Sequence, residues 1–397
     1  MWWILVLGGG ADAQVCRAIN NTFTAKINPF ASSTGYYTFD ECGNETQPTI
    51  GMELGVEYTF KQTDASNWYH PLGFAYFADG AHEDVDELEP GISLTNSSCA
   101  DNLTCQSPIY YLNGEFLGAG GEDFGLDAYE PDFFLPRGDW IEKGEYEVKL
   151  TLDETNDVFY FCHIHNEMSG RIKVLVDDVI VSEEDRPALG YEYEVPSDFD
   201  AGCGTYGTGD YQESGGLCSD TFLCLDGNES DVMVEFSECL YATDCAMDYL
   251  MRTEIHDTNP VVAFIHQMIP HHDNAINMAK ILLKIQGDWL DADNENDAEM
   301  IDVLWDIINT QNHQIDIMQN WLEAFGYDSE DSAVCSLCTN SASWYKTGDP
   351  SKDCDWVSEW EPRCDTKGEG AILASAACPL ACGECAVNTA VTVAASG

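Results

Sequence analysis

The segment Phe159–Val174 places three soft metal donors close together in the chain. It begins as a run of aromatic and β-branched residues, which predicts a strand, and continues into a short loop. Cys162, His165 and Met168 lie in that loop and offer a thiolate, an imidazole and a thioether. Such a donor set is typical of a site for a soft metal ion. A second imidazole is needed to complete the site, and it must come from elsewhere in the chain.

His70 is the best source of that imidazole, because within Asn67–Phe77 it is followed by a strand-like aromatic run. Two histidines and a cysteine with a weak axial methionine make the trigonal geometry of blue-copper centres. The order of the four donors resembles the cupredoxin family, and the short loop is most similar to the amicyanin branch. Over residues 48–182 the resemblance implies a cupredoxin-like β-sandwich and a type 1 copper ion that transfers electrons. The alternative is a disulfide cysteine flanked by incidental histidines.

Side-chain alternation predicts which residues of this region face the metal. In a strand that ends at Cys162, His163 points to the opposite face, so we expect it to lie away from the copper. A multicopper oxidase needs several His-x-His pairs for its trinuclear cluster, and His163 with His165 is the only such pair. Oxygen-reducing oxidase chemistry is therefore not expected. The strands predicted nearby are Val56–Gln62, Tyr146–Leu152 and Asp157–Cys162.

A second group of histidines and methionines lies on a predicted helix. The segment Asn259–Lys280 opens with asparagine as an N-cap and proline at the first helical position. We expect one stripe of this helix to point into a bundle, with His272 beside it. A later helix within 298–322 carries Met318 on its facing stripe, whereas His313 falls on the opposite side and is expected to face solvent. The inward stripe consists of Phe264, Met268, His271, Ala275, Met278 and Leu282.

The helical segment resembles a small His/Met-rich four-helix family that is ferritin-like in shape. Its members are found in bacterial secreted and periplasmic proteins and are linked to copper binding. The resemblance spans about residues 240–326 and implies five copper ligands. Thioether donors favour Cu(I). A di-iron site is not expected, because the helices contain no Glu-x2-His pair. The implied ligands are Met268, His271, His272, Met278 and Met318, whereas Met247, Met251 and Met300 are interpreted as core residues.

The cysteines predict both a small module and a compartment. The last six resemble the ShK domain, a six-cysteine appendage of many secreted proteins, and so short a piece needs disulfides to be stable. Of the seventeen cysteines, sixteen remain to pair if Cys162 is a copper ligand, which implies an oxidising compartment. The sequence does not fix the pairing within three groups: Cys16, Cys42, Cys99 and Cys105; Cys203, Cys218, Cys224, Cys239, Cys245 and Cys335; and Cys338, Cys354, Cys364, Cys378, Cys382 and Cys385.

Other features also favour secretion. Residues 1–13 are apolar and then small, as at the end of a signal peptide, although a basic start is missing. No apolar run is long enough to span a membrane. Five Asn-x-Ser/Thr sequons predict a glycosylated surface. They lie at Asn20, Asn44, Asn96, Asn102 and Asn228.

The charge excludes some partners. With 16 basic and 71 acidic residues, the net charge is −55, so nucleic acid and anionic membrane surfaces would repel the chain. The acidic residues are interpreted as a solvated surface suited to salty surroundings. A more specific alternative is that the acidic residues concentrate cations near the copper sites.

The sequence thus predicts a multidomain protein that binds copper ions, with a β-sandwich, a helical bundle and a disulfide-rich module. In the leading hypothesis the β-domain carries electrons for an unnamed redox partner protein and the helical domain binds or delivers copper. A redox-inert storage protein and an enzyme such as a cupric reductase are the alternatives. The predicted divisions are a leader (1–13), an N-terminal extension (14–47), a cupredoxin-like domain (48–182), an acidic linker (183–235), a helical domain (236–328), a cysteine-rich module (335–386) and a tail (387–397).

Overall fold

The structure is a computed structural model that describes most of the chain. The described residues are 15–80, 82, 87–89, 106–118, 124–181, 187–215, 217–218, 222–224, 227, 229–253, 259–328, 344–358, 361–368 and 373–382. Several predictions lie outside them and are not addressed by the structure. These concern the leader, the sequons at Asn96, Asn102 and Asn228, and the cysteines Cys99, Cys105, Cys335, Cys338 and Cys385.

Two mixed sheets form the N-terminal part, which confirms the predicted β-rich region. The first sheet has the order β1 (Cys16–Arg17), β4 (Ile50–Glu53), β11 (Gly170–Val176), β10 (Val158–Cys162) and β6 (Leu72–Ala75), with β12 (Val179–Ile180) paired to β11. The second has the order β3 (Tyr36–Phe39), β2 (Thr22–Asn28), β5 (Glu57–Gln62), β9 (Tyr146–Thr151), β7 (Ile109–Leu112) and β8 (Glu115–Phe116). Residues 15–47, predicted as an extension, thus supply three strands.

An aromatic core joins the two sheets. Alternate residues of β2 are buried, as expected for a strand with one face on a core. The rings of Phe60 and Phe74, one from each sheet, lie 4.8 Å apart between centroids, and those of Phe39 and Tyr160 lie 5.2 Å apart. Tyr160 also donates a hydrogen bond from its hydroxyl to the Pro48 carbonyl at 2.8 Å. Burial of these large rings is the main source of stability here.

Three long helices follow within the described residues, and a four-helix arrangement stays a prediction. The chain divides into two compact units, of which the first contains Met1–Met247 and Ile269–Trp321 and the second contains Asp248–Met268 and Leu322–Gly397. None of the described helices is both long and apolar enough to cross a membrane. The helices are α1 (Leu126–Tyr129), α2 (Arg137–Lys143), α3 (Asp198–Cys203), α4 (Asp231–Leu250), α5 (Pro260–Trp289), α6 (Glu295–Ala324), α7 (Cys354–Ser358), α8 (Ala374–Ala377) and α9 (Pro379–Cys382).

Within the first unit, α5 and α6 pack against the sheet region. Lys280 of α5 is fully buried, and its ammonium donates hydrogen bonds to the carbonyls of Ser32 and Ser33 at 2.8 and 2.7 Å. Apolar residues of both helices belong to the same buried core as the sheet residues. These include Ile276, Ala279, Leu283, Leu304, Trp305, Ile308 and Ile315.

The prediction that the Met/His stripe of α5 points inward is wrong. Phe264 is 59% exposed, Met278 is 42% exposed, and His271 is exposed as well. The buried side of the helix is instead the one that carries Ile276 and Leu283. Both sides repeat at helical spacing, so periodicity alone could not choose between them; the more apolar branched side packs on the core.

Five disulfides are present among the described residues, and each joins two cysteines of one predicted group. Cys16–Cys42 lies in the sheet region. Two more, Cys203–Cys239 and Cys218–Cys245, fasten part of the predicted linker to α4. The disulfide-rich C-terminal part is confirmed by the remaining pairs, Cys354–Cys378 and Cys364–Cys382.

We expect Gly170→Ala to destabilise the protein. A Cβ atom at Gly170 would lie 1.9 Å from Cζ of Tyr160, which is fully buried and cannot move aside. The overpacking should lower the free energy of unfolding by about 2–3 kcal/mol, as measured by chemical denaturation.

Gly138→Ala is the control for this prediction. Gly138 lies in α2 with no heavy atom within 4 Å of a Cβ placed there, so alanine should be neutral or stabilise by up to about 1 kcal/mol. Equal effects of the two substitutions would contradict the close approach of Tyr160 to Gly170.

Candidate metal centre

Three of the four residues predicted for the β-domain metal site lie together in the structure. The donor atoms of His70, Cys162 and His165 all fall within 4.8 Å of one another. Cys162 Sγ is 3.7 Å from Nδ1 of each histidine, and the two imidazole centroids are 4.6 Å apart. All three side chains are fully buried, as is that of Met168 on the same loop. The cluster offers two nitrogen donors and one sulfur donor to a metal ion.

Strand pairing explains why these residues meet. Cys162 is the last residue of β10 and lies opposite Leu72 of the antiparallel neighbour β6. His70 is two residues before Leu72, so it reaches the same end of the sheet as Cys162. The loop after β10 then folds around the sulfur, because the backbone N–H groups of Ile164 and His165 both donate to Cys162 Sγ at 3.4 Å.

His163 lies outside the cluster, as the alternation of side chains predicted. Its ring contacts Phe161, with 4.7 Å between the ring centroids. Its Nε2 is the atom that a side chain at Gly73 would strike, at 2.1 Å. Gly73 therefore leaves room for this imidazole on the other face of the strand.

The backbone around His70 is held by residues that the sequence analysis missed. The hydroxyl of Tyr37 and the amide of Gln62 donate to the His70 carbonyl at 3.0 and 2.7 Å. Tyr69 has a φ of 70°, a left-handed conformation that a tyrosine rarely adopts and that needs support from its surroundings. One signal was available: Gln62 continues the inward-facing series of Tyr58 and Phe60 on β5 and is therefore a polar residue at a core position.

His82 contacts the backbone of Cys162, and the sequence analysis also missed this residue. Its Nε2 is 2.9 Å from the Cys162 carbonyl, and because a carbonyl only accepts, this nitrogen carries the proton. The bond fixes the backbone at the residue that supplies the sulfur. Hydrogen bonds from residues that surround a metal site orient the ligands of the metal in proteins.

Helix α6 covers the histidine side of the cluster. Nε2 of His165 donates to the backbone carbonyl of Asn309 at 3.3 Å. His313, which was expected to face solvent, is half-buried, with its ring 6.1 Å from that of Tyr69 and 6.0 Å from that of Phe134. That prediction is wrong because this side of α6 faces the sheet region instead of water.

Burial controls the protonation of the three donors. It raises the pKa of the Cys162 thiol to about 12, against a smaller lowering effect of the N–H groups of His165 and Ile164. It lowers the pKa of His70 to about 3 and that of His165 well below its usual value. At pH 7 the metal-free cluster therefore holds a protonated thiol and two neutral imidazoles.

The residues predicted for a helical copper site are more exposed. His271 and His272 lie with their ring centroids 6.2 Å apart, and His272 is partly buried, which lowers its pKa. Met278 is exposed, Met318 packs at the edge of the core, and Met268 is partly buried. The role of these five residues as ligands stays a prediction.

Two cysteines carry no disulfide in the described part of the chain. Cys162 is one of them, as predicted for a metal ligand, and it is buried. The other is Cys224, which is exposed. The prediction that every cysteine except Cys162 is paired is therefore wrong at Cys224. Cys335, the last member of its predicted group, lies outside the described residues.

Comparison with known proteins adds one similarity. Residues 261–354 match the model of a family described as a domain of unknown function (DUF305). The match includes most of α5 and all of α6 but none of the three clustered donors. No curated protein and no solved structure matches the chain.

Metal uptake should release about one proton per ion at pH 7. The proton comes from the Cys162 thiol, since the two imidazoles are already neutral. Proton release can be measured by pH-stat during titration of the metal-free protein. The affinity should rise with pH over the neutral range, and Cys162→Ser should remove the release; release of two or more protons would contradict the neutral state of the histidines.

Native thiol labelling should distinguish the two unpaired cysteines. Cys224 is exposed and should react with iodoacetamide in the folded, metal-free protein, whereas Cys162 is buried, has a raised pKa and should react only after unfolding. Peptide mapping by mass spectrometry checks both sites. Finding Cys162 in a disulfide would contradict the metal assignment.

Proposed function

We propose that this protein is a secreted copper protein whose β-domain carries a type 1 copper ion for electron transfer. His70, Cys162, His165 and Met168 would hold the ion, which supplies one-electron exchange between Cu(I) and Cu(II). The helical segment would bind or deliver copper. The observation that carries the proposal is the buried cluster of one sulfur and two imidazole nitrogens.

The spacing and the chemistry of the donors support a site for a soft metal ion. Cys162 Sγ lies 3.7 Å from Nδ1 of each histidine, so one ion could reach all three donor atoms. A thiolate and two imidazoles with a methionine on the same loop favour copper, since zinc gains little from a thioether.

The closure of the site supports a carrier over an enzyme. Cys162, His165 and Met168 are fully buried, so their donor atoms are not exposed to a substrate in solution. Two N–H groups donate to the sulfur and His82 donates to the Cys162 carbonyl, and these bonds would hold the cysteine in place during one-electron exchange at a bound ion. A cupric reductase would need a position for incoming copper at this centre.

The exposure of the second group supports exchange of copper there. His271 and Met278 are exposed on α5, so an ion held by them would be accessible to a partner or chelator. The adjacent rings of His271 and His272 are suited to copper in either oxidation state, and the thioether favours Cu(I).

The same proposal includes a cupredoxin-like fold, secretion and an ShK-like tail. The two sheets joined by one aromatic core support the first. Five disulfides support an oxidising compartment, and two of them lie in the C-terminal cysteine-rich part. Asn20 and Asn44 are exposed, as glycosylation requires.

Loading with Cu(II) should give an intense visible band from the bond to Cys162 sulfur, and one-electron reduction should bleach it reversibly. Cys162→Ser should abolish the band, and His70→Ala should weaken copper binding at the β-domain site. Absorption and electron paramagnetic resonance spectra of the full chain test both. Copper uptake without a thiolate band would instead favour the redox-inert storage alternative.

Met278→Leu should weaken Cu(I) binding by the helical segment at least about tenfold, that is about 1.4 kcal/mol, when measured by competition with a Cu(I) chelator in a Cys162→Ser background. The interpretation of Met300 as a core residue is wrong, because it is 45% exposed on its helix. Met300→Leu is therefore a matched control for Met278, which is 42% exposed. His313 is unsuitable as a control because it is half-buried beside Tyr69. Equal affinities in the two variants, or a preference for Zn(II), would count against this copper site.

A further inference from the structure

One residue of α6, Asn309, contacts both His165 and the segment that contains His70. It is almost fully buried, with 1% of its surface exposed. Its backbone carbonyl accepts the hydrogen bond from Nε2 of His165 at 3.3 Å. Its side-chain amide donates to the carbonyl of Trp68, two residues before His70, at 3.0 Å. A single helical residue thus links two segments of the sheet region that supply metal donors.

The backbone contact determines which nitrogen of His165 is available to a metal. A carbonyl oxygen only accepts hydrogen bonds, so Nε2 of His165 carries the ring proton. Nδ1 then keeps its lone pair, and this is the nitrogen that lies 3.7 Å from Cys162 Sγ. The contact therefore selects the binding-competent tautomer and the orientation of the ring.

The side-chain contact of Asn309 acts on the segment that contains His70. The Trp68 carbonyl belongs to the peptide group just before Tyr69, whose φ of 70° is left-handed. Such a conformation is costly for a tyrosine and persists where neighbouring groups hold it. The Asn309 side-chain amide fixes the Trp68 carbonyl before Tyr69. The hydrogen bonds to the His70 carbonyl fix the backbone after Tyr69.

We propose that Asn309 is a positioning residue whose side-chain amide sets the position of His70 relative to His165, while its backbone carbonyl orients the His165 ring. The metal centre of the β-domain is then complete only when α6, part of the segment that matches the DUF305 family, is docked on it. This inference rests on the proposed function of the cluster.

Asn312 provides a matched control. It lies on the same helix, is 4% exposed, and donates from its side-chain amide to the Ser33 carbonyl at 3.2 Å. Its bond therefore also joins α6 to the sheet region, but the acceptor, Ser33, belongs neither to the Trp68–His70 segment nor to the loop of Cys162 and His165. Loss of either amide should destabilise the fold by a similar amount.

The experiment compares the full-length protein with its Asn309→Leu, Asn309→Asp and Asn312→Leu variants after loading with Cu(II). Aspartate keeps the shape of asparagine but lacks the donor, so it serves if the leucine variant fails to fold. We expect both Asn309 variants to shift the thiolate band and to release copper to a chelator about 10- to 100-fold faster than the wild type. The Asn312 variant should keep the wild-type band and release rate, although its denaturation midpoint falls.

Two results would overturn the inference. If the Asn309 variants keep the wild-type spectrum and release rate, or if the Asn312 variant changes as much as they do, the Asn309 side chain has no specific positioning role. Absence of a thiolate band in the wild type is a different result, and it would overturn the proposed function together with this inference. A wild-type band with no effect at Asn309 leaves the copper assignment intact.

Discussion

The pairing of β10 with β6 is the interaction on which the rest of the metal centre depends. Its register sets Cys162 opposite Leu72, and both the cysteine and His70 thereby reach one end of the first sheet. A shift by one residue would turn the sulfur to the face of His163 and away from His70 and His165. The aromatic core specifies the register, because the side chains of Tyr160 and Phe74 must both stay buried within it.

The sequence was sufficient to predict the cluster because its members follow local rules. Cys162 and His165 lie three residues apart and His70 lies two residues before a strand, so donor chemistry and the order of the donors were enough to indicate these three. The role of Met168 as a ligand stays a prediction. The strands β5, β9 and β10 could be predicted from their residue pattern, whereas the three strands within residues 15–47 were not predicted. The predicted grouping of the cysteines is confirmed for the five described disulfides, since each joins two cysteines of the same segment of the chain.

Features that depend on docking between distant segments could not be predicted in this way. The stripe of Met278 and the opposite stripe of Ile276 both have helical spacing, and only contact with the sheet region determines which is buried. His313 and Asn309 lie near the cluster although they follow it by more than a hundred residues, and no local pattern links them to it. Cys224 differs for another reason: an odd total of cysteines requires an odd number without a partner in the chain, but it does not say how many or which ones.

The unpaired state of Cys162 has a consequence for how the chain matures. Its protection requires contacts between residues far apart in sequence, and contacts of that kind form slowly during folding. Meanwhile the other thiols are being oxidised by exchange, in which any accessible thiolate can take part. Folding of the β-domain therefore competes with mispairing at this residue. Once Cys162 is enclosed, its thiol is both inaccessible and protonated, so exchange at this position stops.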